Sequence, residues 1–104
     1  MNEDARLRLL GLGARARRVV IGVTGVRAKL QEGVGSGLAC VVLAADASLR
    51  TQEKVGRLAA ARGVPVLRGP SAERMGAGLG RPSVQAVGVS DPALARGLVR
   101  LSEE

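Results

Sequence analysis

A chain of 104 residues, 46% of them hydrophobic, has room for one core and is predicted to form a single domain over residues 1–104. It contains no aromatic residue, no His and one Cys, which excludes base stacking on rings, the common zinc sites and histidine acid–base catalysis. The net charge of +7 comes from residues 5–29, which hold seven basic residues and no acid, because nine basic and nine acidic residues balance elsewhere. This distribution indicates a polyanionic partner.

The first predicted element is a helix, Glu3–Arg17. Its apolar residues recur at steps of four, three and four and are Ala5, Leu9, Leu12 and Ala16. Gly11–Gly13 begins a dinucleotide-binding pattern, but that pattern requires a preceding strand, so nucleotide binding is not expected.

A short strand and a second helix come next. Val19–Ile21 is predicted to be the strand, and Thr24 is predicted to cap a helix that ends near Glu32. The inward residues of this helix are predicted to be Val26 and Leu30. The glycine-rich residues 33–37 are predicted to form a flexible loop.

The longest apolar run, Leu38–Ala45, is predicted to be a central strand covered on both faces. The run is too short to cross a membrane. Cys40 lies inside it and is therefore expected to be a buried structural thiol. Asp46 or Ser48 is predicted to cap the next helix, which ends near Arg62, and capping is favoured over a site role for Asp46.

The alternation continues to the end of the chain. The remaining predicted elements are a strand at Val64–Leu67, a helix at Ser71–Leu79, a strand at Val84–Val89 and a helix from Ser90 to Leu101. Pro65 lacks an N–H, which places its strand at a sheet edge or at the start of a strand. The resulting order, α-β-α-β-α-β-α-β-α, predicts an α/β fold in which helices cover both faces of one sheet.

The sequence offers little chemistry. The carboxylates are scattered, and none has a paired or metal-ligand spacing, so we expect no enzymatic activity, no cofactor, no metal and no small-molecule substrate. The acidic start at Asn2–Asp4 is not a signal peptide, and we expect a cytoplasmic protein without a membrane partner. RNA would be held by arginines, backbone amides and shape, and the turn Gly22–Gly25 beside the basic segment is a candidate phosphate site. An ordinary glycine turn is the alternative.

Four segments together resemble a known family over about residues 7–101. They are Leu9–Leu12 with Arg15–Val20 and a glycine turn, Val41–Ser48, Gly63–Val66, and Gly78–Arg81 with Val84–Asp91. Their order and spacing resemble the L7Ae/L30e superfamily of ribosomal proteins, most closely its bacterial YlxQ-like branch. The resemblance implies a three-layer α/β/α sandwich with a four-stranded mixed sheet. It also implies binding to kink-turns or related internal loops in RNA, with rRNA among the candidates.

The resemblance further implies an RNA surface in three parts: the Gly22 turn with the start of the second helix, the loop at Ala45–Asp46, and the loop at Leu79–Pro82. RNA-reading relatives carry Gly-x-Asn-Glu where this chain has Gly22–Gly25, so we expect only a weak preference for kink-turns. The predicted RNA-binding residues are Arg15, Arg17, Arg18, Gly22, Val23, Thr24, Gly25, Arg27, Lys29, Asp46, Leu79, Gly80 and Arg81.

The leading hypothesis is therefore a noncatalytic protein that binds structured RNA, in association with ribosomes. One alternative is a protein-interaction module that keeps the fold without binding RNA. Another is a stand-alone substrate-binding domain of an RNA-methyltransferase system. Salt-sensitive RNA binding separates the first and third hypotheses from the second.

Overall fold

The computed structural model describes residues 2–33 and 37–102, in which five helices and four strands alternate as predicted. In chain order they are α1 (Asn2–Arg15), β1 (Val19–Ile21), α2 (Val23–Gln31), β2 (Cys40–Leu43), α3 (Leu49–Ala61), β3 (Val66–Arg68), α4 (Ala72–Gly78), β4 (Ala86–Val89) and α5 (Pro92–Ser102). The predictions began β2, β3 and β4 two residues too early, because an apolar sequence pattern does not mark where the regular strand pairing starts. Residues 34–36 of the predicted glycine-rich loop lie outside the described residues.

The strands form one mixed sheet in the order β1-β4-β2-β3. Only the β2–β3 pair is parallel, while β4 runs antiparallel to both β1 and β2. This confirms β2 as an interior strand and β3 as an edge strand, as Pro65 predicted. All four residues of β2 are buried, because helices cover both faces of the sheet at this strand.

The helices lie in two layers. On one face, α1, α4 and α5 contribute Leu10, Met75 and Leu98 to a core that includes Val42. On the other face, α2 and α3 contribute a second core, whose helix residues are Val26, Leu30, Val55 and Ala59. The three-layer α/β/α sandwich is thus confirmed, as are the inward positions of Val26 and Leu30. None of the helices within residues 2–33 and 37–102 is long and apolar enough to cross a membrane.

The predicted apolar stripe of α1 is right at Leu9, which packs against the core, and wrong in the second half of the helix. Leu12 is 55% exposed and Ala16 is exposed, whereas Leu10 and Gly13 are buried. The reason is the close approach of α5, because a Cβ atom at Gly13 would lie 2.5 Å from Cδ2 of Leu94. Glycine therefore defines the packed face of α1, and hydrophobicity patterns give glycine no weight.

Side-chain caps begin three of the helices. The cap of α3 is Ser48, whose Oγ accepts from the Thr51 N–H at 3.1 Å, and Ser71 caps α4 in the same way. Asp91 Oδ1 accepts from the Ala93 N–H at 2.8 Å at the start of α5. These contacts satisfy N–H groups that have no partner within the helix.

The capping prediction for α2 is wrong, and of the two candidate caps for α3 Ser48 is right and Asp46 is wrong. The N-cap of α2 is Gly22, and no side chain in the described part of the chain caps this helix, so Thr24 lies in its first turn. Asp46 does not cap α3. Its Oδ1 instead accepts from the Ala72 N–H at 2.8 Å, which ties the loop after β2 to the start of α4.

Candidate nucleic-acid interface

Strand direction brings three loops to one end of the sheet. The chain leaves β1 and β2 there and enters β4 there. The Gly22 N–H donates to the Ala86 carbonyl at 2.8 Å, and the Ala44 N–H donates to the Gln85 carbonyl at 2.8 Å. We call residues 22–25, 44–48 and 79–83 the three-loop edge. It unites the predicted site residues Gly22, Val23, Thr24, Gly25, Asp46, Leu79, Gly80 and Arg81.

The first of these loops presents backbone donors. Gly22 has φ of 101°, a conformation that favours glycine, and it turns the chain from β1 directly into α2. Because no side chain among the described residues caps α2, the N–H groups of Val23–Gly25 at its first turn are open to a ligand. Thr24 is exposed, so its hydroxyl also lies at the surface. Such a helix start favours anions.

The second loop is held on both sides. The Ser48 N–H donates to Gln85 Oε1 at 3.2 Å, and the Ala45 N–H donates to the Pro70 carbonyl at 2.9 Å. The Asp46 carboxylate is used for its bond to Ala72. Asp46 therefore positions the loop between β2 and α3, and its negative charge does not favour direct contact with phosphate.

The third loop crosses α4 at very close range. A Cβ atom at Gly76 would lie 2.6 Å from Cα of Ser83 and 2.7 Å from the Arg81 carbonyl oxygen. The Arg81 N–H donates to the Gly76 carbonyl at 2.8 Å, and Gly80 makes the turn with φ of 73°. Glycine at position 76 thus fixes where the exposed Arg81 is presented.

A group of cations lies between α2 and α3. The pKa of Lys54 is lowered first by the charge of Arg50, then by burial and by the charge of Arg27. A nearby like charge disfavours the protonated amine, so the three cations lie near one another. We call Arg27, Arg50 and Lys54 the inter-helix basic cluster. Arg50 stands in the first turn of α3, beside the second loop of the three-loop edge.

Arg50 and Lys54 are absent from the predicted site. Outside residues 5–29 the basic and acidic residues are equal in number, so a charge count by segment gives these two cations no weight. Their positions on α3, beside the loop after β2, are what distinguish them. The Ser48 cap was the signal that could have found Arg50, since it fixes the start of α3 beside the end of β2.

The structure does not bring Lys29 to the three-loop edge. Lys29 lies near the end of α2, which runs away from this edge, and its Nζ is 3.6 Å from a Glu32 carboxylate oxygen. Arg27 lies two residues earlier in the same helix. Its side chain is half-buried, and its buried Nε has no hydrogen-bond partner within the described residues. Of the two predicted basic partners on α2, only Arg27 belongs to the cluster.

Arg15, Arg17 and Arg18 lie at the opposite end of the sheet. They surround the entry to β1, whereas Gly22 follows its exit. Arg18 and Gly22 are four steps apart along extended chain, which is about 13 Å at roughly 3.3 Å per residue. β1 therefore divides the basic segment, and these three predicted site residues lie apart from the three-loop edge.

The chemistry of the three-loop edge is that of an anion-binding surface. With the adjoining inter-helix basic cluster, it combines backbone N–H donors, four cations and loops held by hydrogen bonds. Within residues 2–33 and 37–102, no group of three His, Cys, Asp or Glu side chains is placed to hold a metal ion. Cys40 is buried as predicted, and burial raises the pKa of its thiol to about 11, so it is not a ready nucleophile.

Comparison with known proteins gives a family match and structural neighbours. The sequence profile of the Ribosomal protein L7Ae/L30e/S12e/Gadd45 family matches residues 5–99. A protein with unknown function from Bacillus halodurans C is similar in structure, with a TM-score of 0.85, 29% identity, and coverage of 95% of this chain and 97% of that chain. A Giardia lamblia 15.5kD RNA binding protein gives a TM-score of 0.69 at 20% identity, covering 93% of this chain and 81% of that one, which shows a shared fold. No curated protein matches at a significant level.

Proposed function

Because this chain belongs to the Ribosomal protein L7Ae/L30e/S12e/Gadd45 family, we propose that it is a noncatalytic protein that binds structured RNA at its three-loop edge. One observation carries the proposal: the uncapped start of α2 lies at the same end of the sheet as Arg50, in the first turn of α3, and Arg81, in the third loop. Donors and cations from separate parts of the chain thus face one ligand. RNA phosphates carry the charge that such a surface favours.

The surface binds without stacking bases on aromatic rings. A phosphate at the N–H groups of Val23–Gly25 is stabilised by the positive end of α2. The inter-helix basic cluster and Arg81 neutralise further phosphates along the RNA. Because hydrogen bonds hold all three loops before RNA arrives, little conformational entropy is lost on binding.

A kink-turn or related internal loop is the proposed RNA element, in the cytoplasm, with rRNA one candidate. Base reading requires donors and acceptors at fixed positions. Val23 has no polar side-chain atom, and Thr24 offers one exposed hydroxyl. Affinity therefore comes mainly from phosphates, and the preference for a kink-turn over a duplex is weak.

The test of the site compares two charge-matched variants. Arg50→Ala with Lys54→Ala removes two cations of the inter-helix basic cluster beside the three-loop edge, while Arg96→Ala with Arg100→Ala removes two exposed cations from α5. Labelled kink-turn RNA is titrated at several salt concentrations. The first variant is expected to bind more weakly, with a log–log salt slope lower by roughly 0.7 to 0.9 for each lost phosphate contact. The α5 variant is expected to bind like wild type.

Two results would contradict the proposal. Equal binding by wild type and the Arg50/Lys54 variant would exclude the three-loop edge as the site. No RNA binding by wild type at low salt would favour the protein-interaction alternative.

Specificity has its own test. Val23→Asn with Thr24→Glu places an amide and a carboxylate after the turn glycine, as in RNA-reading relatives. We expect this variant to prefer a kink-turn over a matched duplex more strongly than wild type does. Strong discrimination by the unaltered protein would instead assign base reading to the loop that carries Arg81.

A further inference from the structure

The end of the sheet opposite the three-loop edge carries three exposed arginines that the proposed function does not use. Arg15, Arg17 and Arg18 lie within four residues at the junction of α1 and β1. We propose that they form a second phosphate-binding surface, so that one protein bridges two RNA segments. The inference rests on the proposed function for its class of ligand, and it adds a second site on a different face.

These arginines have no charged partner in the described part of the chain. The ion pairs found there belong to Arg74, on α4, and to Lys29, on α2. Asp91 is an acid at the same end of the sheet, but its Oδ1 accepts from the N–H groups of Ala93 and Leu94 at the start of α5. The positive charge is therefore left for an external anion.

The backbone of Arg17 is the second observation. Its φ of 59° makes it the one residue other than glycine with a positive φ among the described residues. The Arg17 N–H donates to the Ala14 carbonyl at 3.1 Å and the Arg18 N–H to the Gly13 carbonyl at 2.8 Å, which is the helix ending where glycine is usual. A side chain in this conformation is strained. The chain uses glycine at five other positive-φ positions.

Favourable interaction with the helix dipole does not explain an arginine at this position. Arg15 already supplies a cation in the last turn of α1, and its backbone is helical. Arg17 adds strain that a glycine would remove. Strained backbone is concentrated at functional sites, and here the side chain retained in spite of the strain is a cation.

The three arginines are also held on a fixed backbone. The Arg18 carbonyl accepts from both the N–H and the Oγ of Ser90, each at 2.9 Å, while its N–H bonds to α1. This junction is thereby fixed between α1 and the segment that begins α5. A preorganised group of cations loses less entropy when it binds an anion.

The two surfaces act on separate ligands. Their separation along β1, about 13 Å, exceeds the screening length of about 8 Å at physiological salt. The molecule measures 33 × 28 × 25 Å, so an RNA helix docked on the three-loop edge leaves the opposite end open. Residues 15–18 offer three guanidinium groups and no side-chain acceptor, which suits the phosphates of a second RNA segment.

The experiment measures bridging directly. A kink-turn RNA carrying an energy-transfer donor is mixed with an acceptor-labelled duplex and with wild type, Arg17→Gly/Arg18→Ala, or the charge-matched Arg96→Ala/Arg100→Ala. Wild type and the α5 variant are expected to give energy transfer between the two RNAs. The Arg17/Arg18 variant is expected to lose it while keeping its affinity for the kink-turn alone. Two lost phosphate contacts lower the salt slope of bridging by about 1.5.

The outcomes separate the two proposals. If wild type does not bind the kink-turn RNA, the proposed function fails and the inference fails with it. If wild type binds but no variant changes energy transfer, or wild type gives none, only the second surface is refuted. The second surface would also be refuted if the Arg17/Arg18 variant kept energy transfer and kink-turn affinity but lost binding to an acidic protein that wild type binds. That result would favour a protein-docking role for the three arginines. An unfolding midpoint of the Arg17/Arg18 variant at or above that of wild type confirms that any loss is not due to unfolding.

Discussion

Gly76→Ala adds one methyl group at the closest backbone contact of the three-loop edge. The new Cβ would lie 2.6 Å from Cα of Ser83 and 2.7 Å from both the Ser83 N and the Arg81 carbonyl oxygen. All three atoms belong to the backbone, so no side chain can rotate away to relieve the contact. The loop that carries Arg81 must move, or α4 must.

The magnitude follows from two opposing effects. Forcing an extra methyl group into a packed site costs about 1–3 kcal/mol, and a backbone contact favours the upper part of that range. Replacing a helical glycine by alanine returns roughly 0.5–1 kcal/mol. We therefore expect Gly76→Ala to lower the free energy of unfolding by about 1–2 kcal/mol.

Gly56→Ala is the matched control. Gly56 is also helical, in α3, and a Cβ there would meet no atom within 4 Å. This variant is expected to raise the free energy of unfolding by about 0.5–1 kcal/mol. Urea unfolding measures both variants, and RNA titration is expected to show weaker binding only for Gly76→Ala. If Gly76→Ala is as stable as wild type, the loop does not pack on α4 as described.

Three further predictions concern local features. Asp91→Ala removes the cap of α5 and is expected to lower the free energy of unfolding, measured in urea, by about 1 kcal/mol. Asp91→Asn keeps a capping oxygen and is expected to keep most of that stability. Arg17→Gly relieves a left-handed backbone and is expected to raise the free energy of unfolding by about 1 kcal/mol, whereas Arg15→Gly, inside α1, should lower it. Burial raises the pKa of the Cys40 thiol from 9.0 to about 11, so the folded state favours the protonated thiol. The stability that this preference contributes is fully present below pH 9 and is lost as the pH rises towards 11. Thiol labelling at pH 8 should then require unfolding, and rapid labelling of the native protein would contradict this burial.

The sequence predicted the sheet well because its signals are local. A continuous apolar run predicted the interior strand β2. Pro65 predicted a sheet edge or the start of a strand, and β3 lies at the edge of the sheet. The packed face of α1 could not be predicted in this way. It depends on how near α5 approaches at Gly13, and that distance is a tertiary property.

The candidate site was only partly predictable. The three loops were found through a family resemblance, and the order of the strands explains why they meet. Arg50 was missed because its role depends on the neighbouring cations of α2 and α3. A charge count along the chain does not show which residues are neighbours in space. The same count joined Arg18 to Gly22, although β1 places them at opposite ends of the sheet.

The most direct measurement of the central claim is a titration of ¹⁵N-labelled protein with kink-turn RNA, followed residue by residue in amide spectra. The backbone amides of residues 22–25, 44–48 and 79–83 are expected to shift at the lowest RNA concentrations. The amides of α5 are expected to stay in place. Shifts confined to α5, or an unchanged spectrum at low salt, would contradict RNA binding at the three-loop edge.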